Sequence, residues 1–275
     1  MSEITRRTLL AGSTALAAGA AAAATTPGAR SADLTGKSVL ITGASSGFGR
    51  LGALHYARCG AKVLATMRNL PRAEADSLRA EAAREKLDLT VLELDVRSAE
   101  QVAATVAEAE RISGRGLDIV INNAGIGITG PVEFQDMEAT QLAFDTNVFG
   151  PQRVIRAALP GMRKRKSGLI VNISSQLGRV IAPGGGHYSA TKFALEALSE
   201  QLAYELVPHG IEVCIIEPGG YPTNVWVNRN AYNLALKGRI GPELAAGYPD
   251  AFARMGTETG AGRTADPMDV PRAIA

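Results

Sequence analysis

SVLITGASSGFG, from Ser38 to Gly49, decides the fold: a short apolar run reads as a buried strand, a turn holding Gly43, Gly47 and Gly49 follows, and a helical pattern continues to Cys59. A glycine-rich turn carries functional meaning in this context, after a strand and at the opening of a helix. The glycines permit a tight turn, and the helix behind them aims its first amide N–H groups at a pyrophosphate. Thr42, Gly43, Ser45, Ser46, Gly47, Phe48 and Gly49 are therefore the first candidates for binding a dinucleotide. A turn with a structural role alone is the competing reading.

Downstream the same beat repeats. KVLATM precedes a charged helical stretch through Lys86, LTVLELDV a helix through Ile112, and LDIVINNAG a helix from about Thr140 to Met162; LIVNISS then precedes a helix from about Tyr188 to Val207, and IEVCIIEPGG closes six units. Strands that read as continuous apolar runs, alternating with helices, are buried on both faces of a parallel sheet. The expected fold is α/β, a doubly wound parallel sheet in one domain spanning residues 33–275. After Gly220 the beat stops. Residues 221–263, with scattered Gly, Pro, Asn and Tyr and a weak helical pattern, read as a substrate lid over the carboxyl ends of the strands.

The end of the second strand bears on the cofactor. An NAD-type site places an acidic residue there to take the ribose 2′-hydroxyl, whereas this chain has Met67 and Arg68. A guanidinium pairs with a 2′-phosphate bidentately and stacks on adenine, which favours NADP(H) and leaves NAD(H) as the alternative.

Ser175, Tyr188 in YSATK, and Lys192 form a second constellation, in order after the glycine turn. Hydride reduction of a ketone requires a proton for the developing alkoxide, and the reverse reaction requires a base. Tyr188 and Lys192, four apart, share a helix face, so an ammonium beside the phenol is expected to favour phenolate. Ser175 is placed to hold the substrate oxygen. His187 neighbours Tyr188 on a different helix face and is assigned no chemistry.

The glycine turn, NNAG at Asn122 to Gly125, Asn147, Ser175, Tyr188 and Lys192 together resemble the short-chain dehydrogenase/reductase family from Lys37 to Thr223. The stretch from Tyr188 to Asn224 looks like the branch that includes 17β-hydroxysteroid and retinol dehydrogenases. The resemblance implies a Rossmann-type fold in which Asp95 and Val96 border the adenine and Asn123, Ala124 and Gly125 line the cofactor. It also implies that Pro218, Gly219 and Thr223 sit beside the nicotinamide, that Lys192 bonds the nicotinamide ribose, and that Asn147 positions a water in the proton path. The implied partner is a small alcohol, ketone or aldehyde. The lid residues Tyr221, Val225, Trp226 and Tyr232 suggest a partly apolar pocket. A nucleotide-binding redox sensor without turnover is the alternative, disfavoured because a sensor has no need of a proton donor.

Bulk properties narrow the rest. With 46% hydrophobic residues, 20% charged residues and a net charge of +2, the chain belongs among ordinary globular proteins, and no nucleic-acid partner is expected. Cys59, Cys214 and three histidines offer no metal-ligand spacing, and the cysteines read as buried free thiols. Residues 1–32 stand apart: Arg6 and Arg7 lead into an uncharged Leu, Ala and Gly stretch with a small-x-small pattern at Ala22 and Ala24. This looks like a twin-arginine export signal, implying a periplasmic protein without stable membrane insertion. A disordered extension on a cytoplasmic protein is the alternative. The chain stops at DPMDVPRAIA, where the family usually continues into a final strand, so either the sequence is truncated or the sheet edge is unusual, and the homo-oligomer common in the family is in doubt.

Overall fold

Side-chain alternation along the strands sets the layering. In β1 (Ser38–Ile41), Val39 and Ile41 face one layer and Leu40 the other, and β2 (Lys62–Met67) repeats this with Val63 and Ala65 against Leu64. Helices α1 (Gly47–Arg58) and α2 (Ala73–Glu85) cover the first face. The second is covered by α3 (Ala99–Ser113) and α5 (Gly150–Arg165), through Val102, Val106, Val154, Ala158 and Met162. Leu40 and Leu64 are fully enclosed, and truncating either to alanine costs about 2–5 kcal/mol. The computed structural model describes residues 32–260 and 262–275, so the proposed leader lies outside the described residues except for Ala32.

The remaining strands are β3 (Leu89–Glu93), β4 (Ile119–Asn122), β5 (Gly168–Ile173) and β6 (Ile211–Ile216). All six are parallel in the order β3-β2-β1-β4-β5-β6. The order reverses between β1 and β4, and ligands bind at that point, outside the strand carboxyl ends. This is the doubly wound sheet that the sequence pattern predicts. At the edge strand β6 burial is incomplete, and Cys214 is exposed rather than buried as expected, because β5 covers one side only.

Two elements depart from expectation. The helix expected over Thr140 to Met162 is two helices, α4 (Met137–Phe144) and α5, joined by a π-helical turn, Asp145–Phe149. Pro151 explains the break: it has no N–H for the Asn147 carbonyl four residues back, and the ladder shifts to i+5 bonds such as Gly150 N–H to Asp145 C=O. The segment 221–263, read from sequence as a lid, is more ordered than its weak pattern suggests. It forms α7 (Val225–Lys237), α8 (Pro242–Gly247) and α9 (Pro249–Arg254). Leu236 and Met255 pack with Ile126, Ile128 and Phe134 in a third, smaller core, which supplies the stability that helical propensity lacks. Two further helices are α6 (Gly186–Leu206), which carries Tyr188 and Lys192, and α10 (Asp269–Ile274).

Candidate active site

A cleft of about 990 Å³ opens at the carboxyl ends of β1 and β4. Its phosphate end is the turn from β1 into α1, where Gly43, Ser45, Ser46, Gly47 and Phe48 line the wall. Gly43 has φ +72°, and a Cβ there would stand 2.8 Å from Ala124 Cα, so only glycine lets the turn close against β4. Ser46 is the N-cap of α1, yet its side chain makes no capping bond, so it leaves the opening amides without a side-chain cap beside the cleft. An anion fits this end. Thr42 and Gly49, two of the candidates, lie one layer behind. Thr42 Oγ1 accepts from the N–H groups of Asn123 and Ala124, each at 3.0 Å, and the Gly49 position is closed by the Gly43 carbonyl and the Asn123 amide. Both shape the turn without reaching the cleft.

Around the rest of the wall stand Arg68, Asp95, Val96, Asn123, Ala124, Gly125, Pro218, Gly219 and Thr223, each where the sequence reading puts a cofactor contact. Arg68 Nη2 donates to the Tyr232 hydroxyl at 2.8 Å, which ties the end of β2 to lid helix α7. Asp95 is held in a fork by Arg97 (2.6 Å), which keeps its carboxyl below the usual range.

Tyr188, Ser175 and Lys192 meet on the floor of the cleft. Ser175, just beyond β5, accepts from Leu177 N–H at 3.1 Å, which fixes its side chain, and its hydroxyl is near enough to that of Tyr188 to pull the phenol's pKa down. Lys192 is almost wholly buried. Its Nζ donates to the Ile173 carbonyl at 2.8 Å and lies 5.8 Å from the Tyr188 ring centroid. Burial pushes its ammonium down to about 8, against the opposing pull of Glu196 one turn on. The expectation that Lys192 drives Tyr188 toward phenolate needs correcting. Burial raises the Tyr188 pKa, and what opposes the rise is the nearby Ser175 hydroxyl and the positive field of Arg229, a lid residue.

Asn147, named from sequence as positioning a water, is held by three protein partners. Its Oδ1 accepts from Ile126 N–H at 2.8 Å, and its Nδ2 donates to the Ile126 carbonyl at 2.8 Å and to Thr191 Oγ1 at 3.1 Å. Both amide hydrogens are engaged, the side chain is fully buried and it does not line the cleft. It braces the π turn, the segment after β4 and α6 together, next to Lys192. His187, given no role from sequence, meets Thr140 Oγ1 through Nδ1 at 2.8 Å.

The lid contributes Trp226, Arg229, Glu258 and Arg263 to the wall. Sequence reasoning missed the last three, and the sole signal was the i, i+3 spacing of Trp226 and Arg229 on a face that only folding turns inward.

A glycine turn between strand and helix at the reversal of a parallel sheet, with Ser, Tyr and Lys gathered beneath it, defines a dinucleotide-binding oxidoreductase site. The chain belongs to the short chain dehydrogenase family, whose model matches residues 37–233. It is 44% identical to human retinol dehydrogenase 8 over 188 residues, 66% of this chain and 58% of that protein, and so resembles the retinol and hydroxysteroid dehydrogenase branch. Among solved structures, a short chain dehydrogenase/reductase from Burkholderia phymatum in complex with NAD matches at 26% identity and a TM-score of 0.74, covering 87% of this chain and 84% of its own. A metagenomic short-chain oxidoreductase in complex with NADP matches at 29% identity and a TM-score of 0.63, covering 67% and 83%.

Proposed function

We propose that this protein is a carbonyl reductase or alcohol dehydrogenase that uses NADP(H) on a small ketone or aldehyde, or on the corresponding alcohol. The observation that carries this reading is the convergence of Ser175, Tyr188 and Lys192 on the floor of a cleft whose other end is the open turn from Gly43 to Phe48. When bound, the nicotinamide supplies the hydride that adds to the carbonyl carbon. Ser175 holds the substrate oxygen, its hydroxyl already oriented by Leu177 N–H. Tyr188 keeps its proton through the neutral range because burial disfavours phenolate, and it gives that proton to the developing alkoxide. Lys192, held at the Ile173 carbonyl, is close enough to stabilise the resulting phenolate and to bond ribose hydroxyls.

The preference for NADP(H) rests on Arg68, with Arg72 beside it in the cleft wall and no carboxylate at Met67 to repel a 2′-phosphate. Export by the leader is part of the same proposal. Titration with NADPH and NADH, followed by nicotinamide fluorescence and then by a panel of ketones and aldehydes, tests the whole. The expected result is tighter NADPH binding, a preference lost in Arg68→Glu, and turnover of at least one carbonyl that Tyr188→Phe abolishes while nucleotide binding remains. Nucleotide binding with no turnover across the panel returns the sensor reading, and binding of neither nucleotide overturns both.

A further inference from the structure

The lid end of the cleft carries more positive charge than its own carboxylate balances. Arg229, Arg254 and Arg263 line it, and Glu258 is the one acidic residue among the described residues on that wall. Two of these guanidiniums converge on a single indole: Arg229 Cζ lies 4.1 Å and Arg263 Cζ 3.7 Å from the Trp226 ring. Arg229 is ion-paired through Nη2 to Glu258, while its Nε is buried without a hydrogen-bond partner. With a side chain only 14% exposed, this is a desolvated cation with part of its donor fork unmatched. Burial is the main cause that pushes its pKa down to about 10; the Tyr188 hydroxyl opposes the fall and the Arg263 charge adds to it.

The position is fixed as well as charged. The stem of Arg229 packs where a Cβ on Gly127 would be 3.0 Å from its Cδ. Helix α7 is pinned by Asn233, which accepts from Thr129 N–H at 3.0 Å and donates to Thr129 Oγ1 at 2.9 Å, and by Trp226 Nε1, which donates to the Tyr221 carbonyl at 2.7 Å. A planar guanidinium in the same cleft wall as the proton donor, with more positive charge around it than its carboxylate balances, matches a carboxylate better than any neutral group.

We infer that the substrate is an oxo acid, or the matching hydroxy acid, whose carboxylate is bound by Arg229 while its carbonyl oxygen lies at Ser175 and Tyr188. This rests on the carbonyl reductase reading and narrows its substrate class. Glu258 then acts as an internal stand-in that a substrate carboxylate displaces.

Trp226 is the only tryptophan of the chain and stacks on Arg229, so its fluorescence reports carboxylate binding without turnover. Pyruvate, acetoacetate and levulinate, each paired with its methyl ester, are titrated against that signal in the NADPH-loaded protein, and kcat/KM is measured for each pair. At least one acid is expected to saturate the fluorescence change and to exceed its ester in kcat/KM by about 10–100-fold, the range for a charged hydrogen-bonded contact. Arg229→Gln is expected to remove that preference mainly through KM, Arg229→Lys to restore part of it, and Glu258→Gln to tighten acid binding. Unchanged NADPH binding shows that the variants are folded. If esters or neutral ketones turn over as well as the acids, or if Arg229→Gln leaves the ratio intact, the inference falls and the reductase reading stands. If no acid moves the Trp226 signal and no carbonyl of any kind turns over, both fall.

Discussion

Replacing Asn147 with alanine tests whether the centre of the site is a brace rather than a contact. The substitution removes three hydrogen bonds, of 2.8, 2.8 and 3.1 Å, and leaves the N–H and C=O of Ile126 unpaired in a region closed to water. An orphaned buried polar group costs about 1–3 kcal/mol, so two of them cost roughly 2–6 kcal/mol. That is a large share of the ~5–15 kcal/mol typical of a folded domain. At about 2–4 °C per kcal/mol for a domain of this size, the Asn147→Ala melting temperature falls by roughly 5–20 °C. Thr191→Val is the control. It removes the weakest of the three bonds and the Thr191 Oγ1 bond to the Tyr188 carbonyl at 2.7 Å, which the helix interior also satisfies, and it costs only about 1 kcal/mol. Thermal unfolding followed by circular dichroism measures both variants. A shift below about 2 °C for Asn147→Ala, or one no larger than that of Thr191→Val, would refute the brace and return Asn147 to the cleft.

Lys192 gives a pH signature for the nucleotide-free protein. Its folded pKa is depressed from 10.5 to about 8, so between those values the unfolded chain binds more protons and stability rises with pH, whereas below about 8 the full cost of the buried charge is present. At about 1.4 kcal/mol per unit the rise totals ~3 kcal/mol. Urea midpoints of wild type and Lys192→Met at pH 7.5 and pH 10.5 should therefore diverge by roughly that amount, and parallel curves would show that Lys192 is not titrating in a buried state. Export is checked by fusing residues 1–32 to a reporter and fractionating cells. A periplasmic reporter that becomes cytoplasmic when Arg6 and Arg7 are changed to lysine supports the leader, and a reporter that stays in the cytoplasm in both cases rejects it.

The sequence by itself determined the fold class, because strand burial in a parallel sheet leaves a local record. SVLI, KVLATM and LIVNI are apolar on both alternating faces, and the glycine turn at Gly43 marks where the first strand must hand over to a helix. It also brought the candidate site residues within reach, since Tyr188 and Lys192 lie four apart on one helix and Ser175 follows a strand, and these local facts survive folding. Tertiary structure decided what depends on neighbours far along the chain. The environment of Tyr188 is set by burial and by Arg229, forty-one positions away, rather than by Lys192 alone, and no local pattern reports desolvation. Asn147 turned inward because Pro151 forced a π turn against Ile126 and Thr191, and Thr42 and Gly49 fell behind the cleft because β4 closes over them. The lid's order came from Leu236 and Met255 finding a core built by residues more than eighty positions upstream. The polarity of that end of the cleft followed from this docking, which brings Arg229, Glu258 and Arg263 around one indole. Periodicity records which face of an element is apolar; it does not record which charges long-range packing will bring together.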